Sequence, residues 1–188
     1  MYHLSQNFQE YSGLNPKECV ILDTETTGVA AGDRIVELSI IDLNGNTLYN
    51  QMFDPQMPMP DPVVRVNGIT DAMVKGMPTF ESEIPTISSI LNGKTLIGWN
   101  VPFDERMLTF EYAYAGIQKP WIGMWDAMNP FAKAKGIKSK FGRHACKLVK
   151  AKSMLGLGDS QEHRSLADCL DTLAVLDIFI QVETSFLF

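Results

Sequence analysis

The chain has 188 residues, 45% of them hydrophobic, and a formal net charge of −6, enough for one well-buried core and short for two domains. The negative balance argues against broad, non-specific binding to long duplexes. No apolar run is long enough to cross a bilayer and the first residues, Met1 to Asn7, have neither a basic region nor an apolar stretch, so a cytoplasmic protein with no membrane partner is expected. Cys19, Cys146 and Cys169 are odd in number, widely spaced and set among apolar neighbours, which predicts reduced core thiols rather than a disulfide framework or a zinc knuckle.

Residues 1–17 lack periodicity and read as a mobile or peripherally docked tail. Residues 18–24 form a continuous apolar run, as in a strand buried on both faces. Residues 34–42 and 47–53 are β-prone and flank Asn44-Gly45, a strong hairpin signal, so the first three strands should form an antiparallel meander. Residues 54–63, rich in Pro and Met, read as loop. Thr79 opens a helix over 81–91 that Asn92-Gly93 closes. Residues 95–98 are the next strand, Pro102 starts a helix to about Gly116, and 121–126 is the fifth strand. Helices over 144–155 and 164–180 follow, separated by Gly156, Gly158 and a polar turn. This alternation predicts an α/β fold with a mixed sheet.

Three short carboxylate-bearing segments lie at the edges of these apolar elements: Asp23-Thr-Glu25-Thr26-Thr27-Gly28, Trp99-Asn100-Val-Pro-Phe103-Asp104 and His163-Arg-Ser-Leu-Ala-Asp168. Strand positions i and i+2 face the same side with Cα atoms roughly 6.5 to 7 Å apart, so Asp23 and Glu25 project together. Two like charges that close repel, and a cation would resolve the conflict; oxygen-only ligands suit Mg²⁺ or Mn²⁺. The bland alternative is a strand end and a glycine turn. Asp104 falls near the third position of its helix, where the macrodipole alone favours an acid, and Asn100 equally suits a helix cap. Inside one helix, five steps of about 100° would set His163 and Asp168 about 140° apart, so His163 belongs at or before the helix start. The 164–180 helix is apolar almost all round and should be packed on more than one face. Asp168 needs a partner there, which the bland reading finds in Arg164. Asp171 and Asp177 read as solvent-facing or capping charges, and Met52, Met57, Met59 and Trp99 as core or loop packing.

Taken together, the order and spacing of the three segments resemble the DEDDh 3′-to-5′ exonucleases, the DnaQ-like group, and most of all the proofreading subunits of bacterial replicative polymerases. The resemblance covers about residues 18 to 180 and includes Val66-Asn-Gly-Ile-Thr-Asp71 and Pro78-Thr-Phe80. His163, five residues before Asp168, marks the histidine branch. The family often has His where this chain has Trp99 and Asn67. The resemblance implies an RNase H-like mixed five-stranded sheet flanked by helices, with 18–180 as the exonuclease domain and 1–17 and 181–188 as tails. It further implies that Asp23, Glu25 and Asp168 hold a first metal ion, that Asp23 bridges to a second and that Asp104 positions it. His163 would take the proton from the attacking water. Thr26, Thr27 and Gly28 would cradle the 3′-terminal nucleotide, with Asn100 beside it and Phe103 packed on its sugar or base. The implied substrate is a nucleic-acid 3′ end, DNA favoured and RNA the alternative. A non-catalytic binding module of a replication or repair assembly is the rival reading, but it gives no reason to keep so costly a cluster. A polymerase or sliding clamp is the implied partner class. Ser185-Phe-Leu-Phe188 loosely resembles clamp-docking peptides, although packing on the body explains it better. The basic stretch Lys133 to Lys150 either follows a nucleic-acid backbone or is a solvated face.

Overall fold

β1 (Cys19–Thr26) alternates its side chains between two apolar clusters. Cys19 and Ile21 join one cluster and Val20 and Leu22 the other, as the period-two geometry of a strand buried on both faces requires. The computed structural model describes residues 4–160 and 162–185. β2 (Ile35–Ile41) pairs antiparallel with β1, and β3 (Thr47–Met52) antiparallel with β2. The turn between them is closed by Asp42, whose backbone N–H donates to Asn46 and whose carboxylate caps Asn44 and Asn46. β4 (Thr95–Gly98) and β5 (Gly123–Asp126) add in parallel, giving the sheet order β3-β2-β1-β4-β5. This is the expected mixed five-stranded sheet. Gly98 belongs to that geometry, since a Cβ there would meet the Leu22 carbonyl oxygen at 2.9 Å.

The helices in chain order are α1 (Leu4–Ser12), α2 (Asp61–Asn67), α3 (Asp71–Val74), α4 (Phe80–Leu91), α5 (Val101–Tyr114), α6 (Met128–Ala134), α7 (Leu148–Met154) and α8 (Ser165–Ser185). α4 and α5 cover the Val20–Leu22 face, through Ile84, Ile87, Met107 and Leu108. α8, with α1, α6 and α7, covers the other through Leu173, Leu176 and Phe179. Packing on several sides explains the nearly all-round apolar character of α8, although Leu170 stays exposed. Among the described residues no helix is long and apolar enough to cross a membrane. The three cysteines are free and buried, as expected.

Several local expectations need correction. Residues 4–12, within the stretch read as tail, form α1, whose Leu4 and Phe8 are buried and whose Tyr11 ring meets Phe179 edge-on at 5.6 Å. Residues 61–63, expected as loop, open α2, because Pro62 fits the first turn of a helix. The helix expected over 144–155 is shorter, Leu148–Met154, and His144 instead closes a small hairpin by bridging to Lys138. Asp171 is not a free solvent charge but accepts from the buried Lys152 ammonium, and Asp177 is buried and accepts from Gln181 at 2.9 Å. The Phe186-Leu-Phe188 end considered for clamp docking lies outside the described residues.

Candidate active site

The C-terminal end of β1 carries Asp23 and Glu25 on the face that α8 covers, and Thr24 on the face toward α5. One ligand oxygen each from Asp23, Glu25 and Asp168 fall within 4.8 Å of one another. Asp104, in the first turn of α5, reaches the same strand end from the other side: the Thr24 backbone N–H and hydroxyl donate to its Oδ1 at 3.0 and 2.7 Å. Three of the four expected acids, Asp23, Glu25 and Asp168, thus meet, and Asp104 stands against the neighbouring Thr24. Burial pushes the Asp23 carboxyl well above the usual carboxylate range, and Asp104, Asp168 and Glu25 push it further. Burial takes Glu25 up to about 8 against a hydrogen bond from Asn67, and takes Asp104 up to about 7 against those from Thr24. An oxygen-only cluster of mutually repelling, partly desolvated carboxylates is what a hard divalent cation neutralises, so these residues fit such an ion.

α8 begins at Ser165, so His163 precedes it, as the helical-wheel argument requires, with a left-handed φ of 49°. Its ring and Asp23, Asn100 and Asp168 line one open cavity of about 860 Å³. The helix start is tied to β2. The Glu37 carboxylate accepts from the Arg164 guanidinium and from the Ser165 backbone N–H at 2.9 Å, while the Ser39 and Ser165 hydroxyls meet at 2.7 Å. Arg164 thus serves Glu37 and not Asp168, the partner that the bland reading gave it. The register sets Glu37 directly opposite Glu25, where like charges oppose each other. The Arg164 guanidinium therefore relieves the cluster as well as fixing His163 and Asp168.

The Thr26–Gly28 turn is held by its own groups. The Thr26 hydroxyl donates to the Gly28 carbonyl at 2.6 Å, and the Thr27 hydroxyl donates to Asp33 at 3.1 Å and accepts from the Arg34 N–H at 2.9 Å. A Cβ on Gly28 would lie 2.4 Å from the Asp33 carboxylate, so only glycine allows that approach. Asn100 takes the N-cap position with φ 70° but makes no side-chain cap; its backbone N–H donates to Asp126. Phe103 packs against the α4–α5 cluster, with the Arg106 guanidinium 5.5 Å from its ring centroid, and does not line the cavity. Trp99, read as packing, has a second place: its indole N–H donates to the Cys146 carbonyl at 2.7 Å and its ring borders the cavity.

Glu37 and Asn67 escaped the sequence reading. The signal was there: a lone acid inside the apolar run Ile35-Val-Glu-Leu-Ser-Ile-Ile41, and a buried amide at the end of a helix, are both costly without a partner. Asn67 spends its oxygen on the Ile69 N–H at 3.0 Å, and its side chain lowers the Glu25 pKa against the rise from burial.

A mixed sheet whose central strand ends in paired acids, completed by acids from two helices and a histidine, defines a nuclease of the RNase H-like class. The family model described as Exonuclease, of the RNase T type, matches residues 20–176, and the chain belongs to that exonuclease family. Over 166 residues it is 30% identical to a protein of Escherichia phage 186 named uncharacterized exonuclease CP81, covering 84% of this chain and 86% of that one. It is 28% identical over 150 residues to the DNA polymerase III subunit epsilon of Treponema pallidum, covering 78% and 68%. Against the PolC-type DNA polymerase III of Halalkalibacterium halodurans it is 32% identical over 117 residues, 60% of this chain and only 8% of the polymerase. Among solved structures it is similar to exonuclease X in complex with 5′-overhanging duplex DNA, with TM-score 0.64 and 22% identity over 88% of this chain and 93% of that one. The nuclease domain of 3′hExo, a DEDDh family member bound to rAMP, gives TM-score 0.67 and 16% identity over 87% and 92%.

Proposed function

We propose that this nuclease removes nucleotides one at a time from the 3′ end of a strand, releasing nucleoside 5′-monophosphates, with single-stranded or frayed DNA as the favoured substrate. The observation that carries the reading is the meeting of Asp23, Glu25 and Asp168 oxygens within 4.8 Å, on a cavity that His163 also lines. Asp23, Glu25 and Asp168 would hold one Mg²⁺ or Mn²⁺ ion, and Asp23 with Asp104 a second. Such a pair, when bound, supplies positive charge to the attacking and leaving oxygens of an in-line displacement at phosphorus. His163 accepts the proton of the attacking water, its position fixed because the next residue is clamped to Glu37. Thr26, Thr27 and Gly28 would cradle the terminal nucleotide through the braced turn, with Asn100 among the residues that line the cavity. A cytoplasmic polymerase or its sliding clamp is the fitting partner class, given the likeness to the epsilon subunit.

Strands labelled at the 5′ end test this directly: single-stranded DNA, duplex with a mismatched 3′ end, and matched RNA, each with Mg²⁺, Mn²⁺ or chelator. Stepwise shortening from the 3′ end that stops with chelator is the expected result. Internal cuts, or no mononucleotide release, contradict the reading. The 3′hExo likeness, with rAMP in that structure, favours an exoribonuclease as the second reading. Faster shortening of the RNA strand would select it. Chelator-sensitive release of mononucleotides would eliminate the non-catalytic module.

A further inference from the structure

Beside the acid cluster stands a small basic hairpin that the chemistry above does not use. Residues 133–150 contain Lys133, Lys135, Lys138, Lys140, Arg143, Lys147 and Lys150 and no acid, in a chain whose net charge is −6. All seven are exposed, and among the described residues none of the ion pairs involves them. The hairpin is shaped by its own bonds: Lys138 bridges antiparallel to His144, the Ser139 N–H donates to the Arg143 carbonyl at 2.8 Å and the Gly142 N–H to the Ser139 carbonyl at 2.9 Å. At its tip Phe141 is 79% exposed, the most exposed large apolar side chain among the described residues, with the Lys140 ammonium 5.0 Å from its ring centroid.

The base of this hairpin belongs to the cavity wall. Ser139, Ala145, Cys146 and Lys147 line the same cavity as Asp23, His163 and Asp168. The wall is pinned there by the Trp99 indole on the Cys146 carbonyl and by the buried Cys146 and Leu148 side chains. A solvated basic face would account for the lysines, but not for an aromatic ring presented to water between them. Cations alternating with an unstacked ring match a flexible polyanion that carries its own aromatic faces.

We propose that residues 138–144 are an arm that grips the substrate strand on the 5′ side of the reacting phosphodiester. Phe141 stacks on a base while Lys138, Lys140 and Arg143 follow the phosphates. The direction of the strand rests on the exonuclease reading; the grip itself does not. It supplies affinity where the acid cluster would repel the strand.

The test uses the full chain and Phe141→Ala, Phe141→Trp and the triple variant Lys138→Glu/Lys140→Glu/Arg143→Glu. Binding of a fluorescent single-stranded DNA decamer is followed by anisotropy in chelator, so that it is independent of turnover. Phe141→Ala should weaken it about fivefold to a hundredfold, and Phe141→Trp should restore it. The triple variant should lower the slope of log affinity against log salt by about 2, from about 0.7 per phosphate contact. With Mn²⁺, Phe141→Ala should raise KM for the decamer and leave both constants for p-nitrophenyl thymidine 5′-phosphate unchanged, because that ester is too short to reach the arm. Unchanged decamer affinity in Phe141→Ala and in the triple variant, with melting temperatures like the parent's, overturns the arm. Failure of the parent to turn over either substrate overturns the exonuclease reading, and the anisotropy still decides the arm.

Discussion

Removing either member of the Glu37–Arg164 pair should cost unequal amounts, and the inequality can be worked from exposure. The Arg164 side chain is 39% exposed and the Glu37 side chain 3%. In Glu37→Gln the freed guanidinium turns to water. The amide keeps one oxygen for the Ser165 N–H, so the loss is that of charge-assisted bonds exchanged for neutral ones, about 1 to 2 kcal/mol. In Arg164→Met the Glu37 carboxylate is left buried opposite Glu25 with only the Ser165 N–H to answer it. That is the costly case of an uncompensated buried charge, about 3 to 5 kcal/mol. At about 2 to 4 °C per kcal/mol for a chain of this size, melting temperature should fall by about 2 to 8 °C in the first variant and about 6 to 20 °C in the second. Both should also slow nucleotide release at temperatures where they are folded, since His163 loses its anchor. Thermal and urea unfolding of the two variants measure the difference. Equal losses, or a larger loss for Glu37→Gln, would refute the argument that this pair holds the α8 start against the acid cluster.

Three further outcomes follow from the same geometry. His163→Ala should lower turnover by about 10²- to 10⁴-fold with an unchanged melting curve, measured by mononucleotide release; a loss under tenfold contradicts its role as base. Asn67→Ala removes the amide that lowers the Glu25 pKa and should weaken Mn²⁺ affinity about 10- to 100-fold by calorimetry; unchanged affinity would show that Asn67 does not orient Glu25. Without metal, burial holds Glu25 at about 8 and Asp104 at about 7, above the usual 4.5 and 3.8. The folded state therefore keeps protons that the unfolded chain has released. The stability these groups contribute is full below about pH 4 and is lost as pH rises to about 8. A cation takes the place of those protons, so the rise in melting temperature on adding Mn²⁺ should be larger at pH 8 than at pH 6. An equal rise at both would show that the carboxylates are not its ligands.

The parts of the fold that a single segment determines were legible in the sequence. The apolar run ending in Asp23 and Glu25 announced both a central strand and two acids on one face, because strand periodicity needs no partner to be read. Thr79 and Gly93 bracketed α4 in the same way. Asp104 and Asp168 could be placed near helix starts, but their meeting with Asp23 depends on how β1, α5 and α8 cross, which no local pattern encodes. Glu37 was missed for that reason: its partner is 127 residues away, and from sequence it looked like an interruption of β2. The nearer Arg164–Asp168 pairing was plausible because one helical turn separates them, and long-range geometry overrode it. The short helix α1 carries Leu4, Phe8 and Tyr11 at helical spacing, a signal too brief to stand out without the α8 surface it packs on.

The most direct measurement is anomalous diffraction from crystals grown with Mn²⁺ and a nucleoside 5′-monophosphate. Two peaks about 3.5 to 4 Å apart are expected, one among Asp23, Glu25 and Asp168 and the other between Asp23 and Asp104. The phosphate should lie across both, within reach of His163. Manganese bound elsewhere, or a nucleotide seated away from these carboxylates, would contradict that placement.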